Sequence, residues 1–349
     1  VFDGDGFGEP ADVVIADGCI ADHGGRDSVT VDGTGGFLVP GFIDCHVHLS
    51  GPQTQDRLTR AGVTTALDMS SPAPLVAAMR GRLAVTDIRS TMMATCSPTS
   101  AHAERMKGIP AAQEALVASA ADAEAVVTRR VEQGADYLKI VIDLPGFDQK
   151  TVDALVAAAH ARGLKTVAHA SRWDAVAMAQ RAGVDILTHA PLDRPIGTAQ
   201  AAELTAAGVV IVPTLTMMQN IVESINPAGG PGPRYESARS SVMALHAAGM
   251  PILAGTDANE TPAAPASPAF GSSLHIELAL LVDAGLTPVE ALRAATSVAA
   301  EHFKLFDRGR IAPGLRADLV LLDADPTADI VATRSIRGVW IAGERVVRT

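Results

Sequence analysis

Residues 161–190 read ARGLKTVAHASRWDAVAMAQRAGVDILTHA. Two copies of one local pattern lie here: an Ala-rich helical stretch ends in a Gly, a short apolar run follows, and the run closes on a polar residue. Gly163 opens LKTVAHA and Gly183 opens VDILTHA. A glycine just past the last helical turn is the expected left-handed cap. The short β-branched run after it predicts a strand buried on both faces, hence parallel. The pattern returns at Gly62 (VTTALDM), Gly134 (ADYLKIV), Gly208 (VVIVPTL) and Gly249 (MPILAGTDA). Adding GFIDCHVHL (41–49) and IRSTMMAT (88–95) brings the strands to eight. Eight strand–helix units in about 260 residues predict an α/β fold, a (β/α)8 TIM barrel. On this pattern alone, a doubly wound open sheet is the alternative.

The ends read differently. DVVIADGCIADHG (12–24), with a hairpin turn at Asp17-Gly18, and ADLVLLDADP (317–326) followed by VWIAGERVV (339–347) alternate in short strands. Neither end can bury a core alone, so the two are expected to pair into one small β-sandwich domain. The expected organisation is a sandwich half at 1–40, the catalytic barrel at 41–307 and the second sandwich half at 308–349.

Composition narrows the function. With 48% hydrophobic and 19% charged residues, the 349-residue chain is no disordered polymer. A net charge of −11 lacks the basic footprint of a nucleic-acid binder, and 2 Trp, 2 Tyr and 8 Phe leave little for base stacking. Cys19, Cys45 and Cys96 form no disulfide framework, which points to free thiols and a reducing, cytoplasmic setting. No apolar run approaches membrane-spanning length, so no membrane partner is expected. Val rather than Met stands first, which leaves open a preceding segment or a cleaved signal.

The strongest chemical signal is Asp44-Cys45-His46-Val47-His48. Strand residues two apart share a face, so Asp44, His46 and His48 are expected to point inward together. Two such imidazoles can chelate one divalent ion; the plain alternative is a hydrogen-bonded core pair. The other strands tip the balance. Lys139 falls five residues after its leading Gly, His169 and His189 six, and Asp257 eight. Each therefore lies near the C-terminal mouth, where barrel enzymes hold their sites. An unpaired ammonium inside YLKIVI costs several kcal/mol, so Lys139 is expected to be either a Schiff-base lysine or one carbamylated by CO2 that bridges two metals. The histidines and Asp257 favour the carbamate.

These motifs, with VPGFI (39–43), the Gly255-Thr256-Asp257 triplet, LHIELALLVDAGLTPVEALRAATSVAAEHFKL (274–305) and GLRADLVLLDADP (314–326), resemble the amidohydrolase superfamily, closest to its imidazolonepropionase-like and prolidase-type branch. The resemblance spans nearly the whole chain. It implies a metal-dependent amidohydrolase with two zinc ions. His46, His48 and Asp257 would hold one, His169 and His189 the other, with carbamylated Lys139 as the bridge. A metal-activated hydroxide would attack a small acyl-amino or cyclic amide substrate, and Asp257 would serve as general base and acid. His102 lies where related enzymes place a substrate-contacting histidine, which gives it a catalytic part. Met217 and Met218 stand where prolidase-like relatives carry an aromatic hydroxyl, so dipeptide specificity is in doubt. The resemblance also implies a homo-oligomer.

Other residues rest on position alone. His275 opens the last long helix and is a candidate for either substrate binding or capping. Arg172, Arg194 and Arg234 are candidate cations for a substrate carboxylate. Long loops are expected after strand seven (216–239) and strand eight (258–273). Cys45 alternates with the ligands and is expected to face away from them, in the core; His160, His246 and His302 are expected to be solvated or packed. Two other readings stay open: the same metal site running condensation or ring closure of a small aromatic acid, and a non-catalytic scaffold of this fold.

Overall fold

The structure, a computed structural model, describes residues 1–24, 29–262 and 264–346. Outside the described residues lie 25–28 of the segment expected to form the first sandwich half, 263 in the loop expected after strand eight, and 347–349 at the end of the last alternating run.

Asp17 and Gly18, at φ 50° and 78°, turn strand β1 (Val14–Ala16) back onto β2 (Cys19–Ala21). Left-handed φ at both central residues is what a tight two-residue hairpin needs. Strand β3 (Phe37–Pro40) leads from this end into the barrel strands. There β4 (Phe42–Val47), β5 (Val63–Asp68) and β6 (Asp87–Ser90) pair in parallel. Strands β7 (Thr95–Cys96), β8 (Tyr137–Val141), β9 (Lys165–His169), β10 (Ile186–Thr188) and β11 (Val210–Val212) form a second parallel sheet in chain order. Helices such as Gln149–His160 and Trp173–Ala182 connect them. Gly183, at φ 74°, ends the second of these as its place in the sequence pattern requires.

Two apolar clusters divide the strand residues. Phe42, Leu138, Leu187 and Ile211 join helix residues such as Leu58, Leu155 and Leu204 in the large cluster. Ile43, Cys45, Leu67, Val167, Val212 and Leu253 fill the space between strands, together with Phe303 from the end of the chain's last long helical region.

Two expected barrel strands take another form. The third does not run through 88–95 but breaks into β6 and β7, with Met92 at φ 55° between them. Ser90 causes the break: its hydroxyl donates to Asp68 Oδ2 at 2.5 Å and accepts the Met92 N–H at 2.9 Å, which bends the chain out of the ladder. The eighth, 250–258, makes only isolated bridges, Ile252 with Ile211 and Ala258 with Val47. A few main-chain bonds carry these seams. Leu253 N donates to the Ile211 carbonyl (2.8 Å), Cys45 N to Ala254 (2.9 Å), and across the other gap Asp136 N to Ser90 (2.8 Å).

The expected loop after strand seven is also mostly helical: Leu215–Ile225 and Tyr235–Ala247 leave only 226–234 irregular. The Gly and Pro residues cluster in that middle piece. Residues 215–225 have neither, and Met218, Ile221 and Val222 fall at helical spacing against the core.

The chain then returns to its beginning. Strand β12 (Leu319–Leu322) pairs antiparallel with β3, and β13 (Ile336–Ile341) and β14 (Glu344–Val346) complete the order β14-β13-β12-β3. Ile20 from the β1–β2 hairpin packs against Leu319, Leu321 and Trp340 of this sheet.

Gly255 occupies the closest approach in the β4 seam. A Cβ there would lie 2.5 Å from Val212 Cγ1 and 2.9 Å from His46 N. Gly255→Ala is expected to destabilise the protein by about 3 kcal/mol, read as a lower urea midpoint. A midpoint equal to wild type would show that the seam can open without cost.

Candidate metal centre

The polar residues at the strand ends converge on one place. His46 Nε2 and His48 Nε2 lie 3.3 Å apart. Asp257 Oδ1 is 3.4 Å from the first and 3.0 Å from the second, while its Oδ2 is 4.0 Å from His189 Nδ1. The rings continue in a row: His46 to His189 at 5.0 Å between centroids, His189 to His169 at 4.4 Å, and His169 to His102 at 4.4 Å. Lys139, buried in β8, donates its Nζ proton to Thr188 Oγ1 at 2.7 Å.

Local backbone explains part of this aim. The register of β4 on β5 shifts between Asp44 and Val47, so strict alternation does not hold. Cys45 is core as expected, in the apolar plug between the strands. His189, Thr214 and Asp257 stand at φ 74°, 48° and 58°. A non-glycine residue held there costs on the order of 1–3 kcal/mol and tends to mark a functional site. Thr214 Oγ1 and His189 Nδ1 are 2.8 Å apart, which fixes that ring.

Burial governs the charge states. It drives His46, His189 and His169 well below the ordinary imidazole range, with neighbouring positive groups adding to the effect. His48 is raised, because the hydrogen bond and charge of Asp257 outweigh its burial. Lys139 is brought down to about 7 by burial, against the pull of Asp257 and Asp68. Asp143 is held well below the usual carboxylate range: burial pushes it up, but its bond to His102 and the nearby ring of His169 prevail.

The donor set fits divalent cations. Uncharged imidazoles turned toward one another and toward a carboxylate present more lone pairs than protons. His46 Nδ1 is buried with no hydrogen-bond partner among the described residues. One group able to hold an ion is His46, His189 and Asp257; another is His102, Asp143 and His169. Imidazole nitrogen with carboxylate oxygen is a zinc-type set.

The structure thus brings together His46, His48, Lys139, His169, His189, Asp257 and His102. It does not bring His275, and the expectation of a substrate contact there is corrected. The Nε2 of His275 bonds the Ala61 carbonyl at 3.1 Å, its Nδ1 bonds Thr333 Oγ1 at 3.0 Å, and its ring stands edge-on to Phe42. Arg194 is likewise not at the cluster: its guanidinium stacks on Trp173 at 3.7 Å and faces Asp174 at the exposed surface. Arg172 faces Asp193. Met217 and Met218 lie in the first turn of Leu215–Ile225, packed into the large apolar cluster. His160 and His246 pair with Asp185 and Glu290 away from the site.

Sequence reasoning missed three carboxylates. Asp143 follows Lys139 by four, the spacing that returns to the same strand face, and that signal was there to read. Asp68 accepts the Leu49 N–H and the Ser71 and Ser90 hydroxyls beside His48. Glu277 takes the Leu215 and Thr216 N–H groups at 2.9 and 2.7 Å, satisfying the start of that helix, and burial raises it to about 7. Nothing local announces the last two.

Comparison with known proteins adds an independent line. The model for the amidohydrolase family matches residues 37–346. An imidazolonepropionase from Deinococcus deserti is 28% identical over 97% of this chain and 92% of its own length. Phenylurea hydrolase B has a similar structure, with a TM-score of 0.81 and 23% identity over 99% of this chain and 95% of that one. So does a Xaa-Pro dipeptidase with bound methionine, at 0.79 and 22% over 96% and 94%. At these identities the two structures speak for the fold. The expected superfamily and barrel-type fold are both borne out.

The placement of His275 has a consequence for stability. Burial lowers it from 6.5 to about 4. The unfolded chain therefore takes up its proton first as pH falls, and stability is lost from pH 6.5 down to about 4. This single group accounts for up to about 3 kcal/mol of that loss. Urea unfolding at a series of pH values should show a smaller acid loss in His275→Gln than in wild type, with turnover within about twofold; parallel profiles would refute it.

Proposed function

The chain belongs to the amidohydrolase family, and we propose that it hydrolyses a carbon–nitrogen bond in a small acyl-amino or cyclic amide substrate. The observation that carries the reading is one carboxylate, Asp257, set 3.0 and 3.4 Å from two imidazoles at the end of β4, His48 and His46, and beside a third, His189, just past β10. Imidazolonepropionase, the relative matched over nearly its whole length, acts by its name on a cyclic amide.

In this reading His46, His48 and Asp257 hold one divalent ion and His169 and His189 a second, with zinc the metal their donor types suit. Bound ions supply Lewis acidity at the scissile carbonyl and bring the pKa of a water to about 7. Burial brings the Lys139 amine down to about 7, so part of it is uncharged near neutral pH. The uncharged amine is the form that adds CO2, and as a carbamate Lys139 would supply a carboxylate to both ions. Asp257 takes the proton of the attacking water and returns it to the leaving nitrogen. His102 presents a ring nitrogen to the substrate, and Met217 and Met218 back that side with apolar surface. Three free cysteines fit a reducing, cytoplasmic setting, and homo-oligomeric assembly belongs to the same reading. No helix among the described residues is long and apolar enough to cross a membrane.

Protein purified without chelators is expected to carry about two zinc ions per chain by elemental analysis. His46→Ala should lose metal and reduce kcat/KM about a thousandfold or more. Lys139→Ala should do the same and regain part of both with added short-chain carboxylic acid. Fewer than one metal per chain, or full activity in either variant, would sink the reading. Release of free acid, rather than loss of water from two reactants, separates hydrolysis from condensation.

A further inference from the structure

Asp143 lies two residues past the end of β8, and its carboxylate makes two bonds to one neighbour. Oδ2 accepts the main-chain N–H of His102 at 2.9 Å and lies 2.8 Å from the ring Nδ1 of the same residue. Oδ1 stands 3.8 Å from His169 Nε2. His102 belongs to a helix of five residues, Ala101–Arg105, too short to be stiff by itself. Its ring direction is therefore set from outside, and one carboxylate oxygen fixes both the backbone and the ring.

Arg105 competes for the same ring nitrogen, with Nη2 2.9 Å from His102 Nδ1. Nδ1 either gives a proton to Asp143 or accepts one from Arg105. The carboxylate prevails on two grounds. It is already anchored by the main-chain bond and makes a charge-assisted partner for a ring N–H. Arg105 is exposed and loses little by turning to water. No hydrogen bond to His102 Nε2 is found among the described residues.

We propose that Asp143 is a positioning residue that holds His102 in its Nδ1–H form and leaves Nε2 as an acceptor for a substrate N–H beside the scissile carbonyl. The inference rests on the site being a C–N hydrolase centre, and it narrows the substrate class. Secondary amides, ureides and lactams carry such an N–H. Acyl-prolines, which are tertiary amides, do not, and a buried acceptor left without its donor discriminates strongly.

Zinc-loaded protein labelled with 15N-histidine, with His102 assigned by its loss in His102→Gln, reports the ring form directly. Wild type is expected in the Nδ1–H form. Asp143→Asn turns an amide N–H toward the ring and should shift it to Nε2–H, with zinc content unchanged; Asp143→Glu should keep the wild-type form. On a substrate with the N–H, Asp143→Asn should lower kcat about tenfold to a hundredfold. Wild type should also hydrolyse N-acetyl-leucine at least about tenfold faster than N-acetyl-proline. A wild-type ring in the Nε2–H form, or no change in Asp143→Asn, overturns the proposal. So does loss of a zinc equivalent in Asp143→Asn, which would make the carboxylate a ligand. Equal rates on the two probes, zero included, overturn the substrate class. Wild type without zinc counts against the hydrolase reading instead, while the ring spectrum of the metal-free protein still decides the role of Asp143.

Discussion

The buried carboxylate of Asp44 accepts the Thr256 N–H at 3.1 Å, the Thr256 hydroxyl at 2.8 Å and the His46 N–H at 3.1 Å. The Thr256 bonds cross the seam where β4 meets the closing segment, which is otherwise joined by main-chain bonds outside any regular ladder, among them Cys45 N to the Ala254 carbonyl and Asp257 N to the His46 carbonyl. One of its partners is a histidine of the metal group and the other directly precedes Asp257. Together with the main-chain bond from Asp257 N to the His46 carbonyl (2.8 Å), Asp44 sets the separation of His46 and Asp257. Burial raises Asp44 to about 7 while the Thr256 bonds oppose it. A group that costly to bury is kept only where its hydrogen bonds are needed.

Charge is distributed to the same end. The chain carries −11 overall, whereas most of the imidazoles at the site are kept uncharged. His46, His169 and His189 are all held far below their ordinary range by burial. Full ion pairs occur at the other end of the barrel, where Arg308 reaches Asp87 at 2.7 Å and Thr65 at 2.9 Å. Guanidinium groups hold the fold together there, and lone pairs are concentrated at the mouth.

How much of this was legible in the sequence depends on the range of the interaction. The Gly-capped runs and the His, Lys and Asp residues that close them are local, periodic signals, and they located the strand ends and the histidine row. The break at Ser90–Met92 is not local, because it depends on a hydroxyl bonded to Asp68 on the neighbouring strand. His102 and His275 show the limit. Both are single histidines near the start of a helix, and one meets Asp143 while the other meets Ala61 and Thr333. Only the path of the chain separates them. Asp143 was readable from its spacing to Lys139, but a carboxylate just past a strand looks like any turn residue until its partner is known.

The left-handed backbone at His189, Thr214 and Asp257 sets a limit on how such a protein can be improved. A glycine at any of the three would relax the chain, and two of the three side chains, His189 and Asp257, are ones the proposed chemistry uses. A laboratory selection for heat tolerance would find some of its easiest gains at these positions, and each gain would be bought with activity. Tolerance has to be sought elsewhere, in the surface helices and the small sheet. The mouth of the barrel would then change most slowly under selection, even though it is among the more strained parts of the chain.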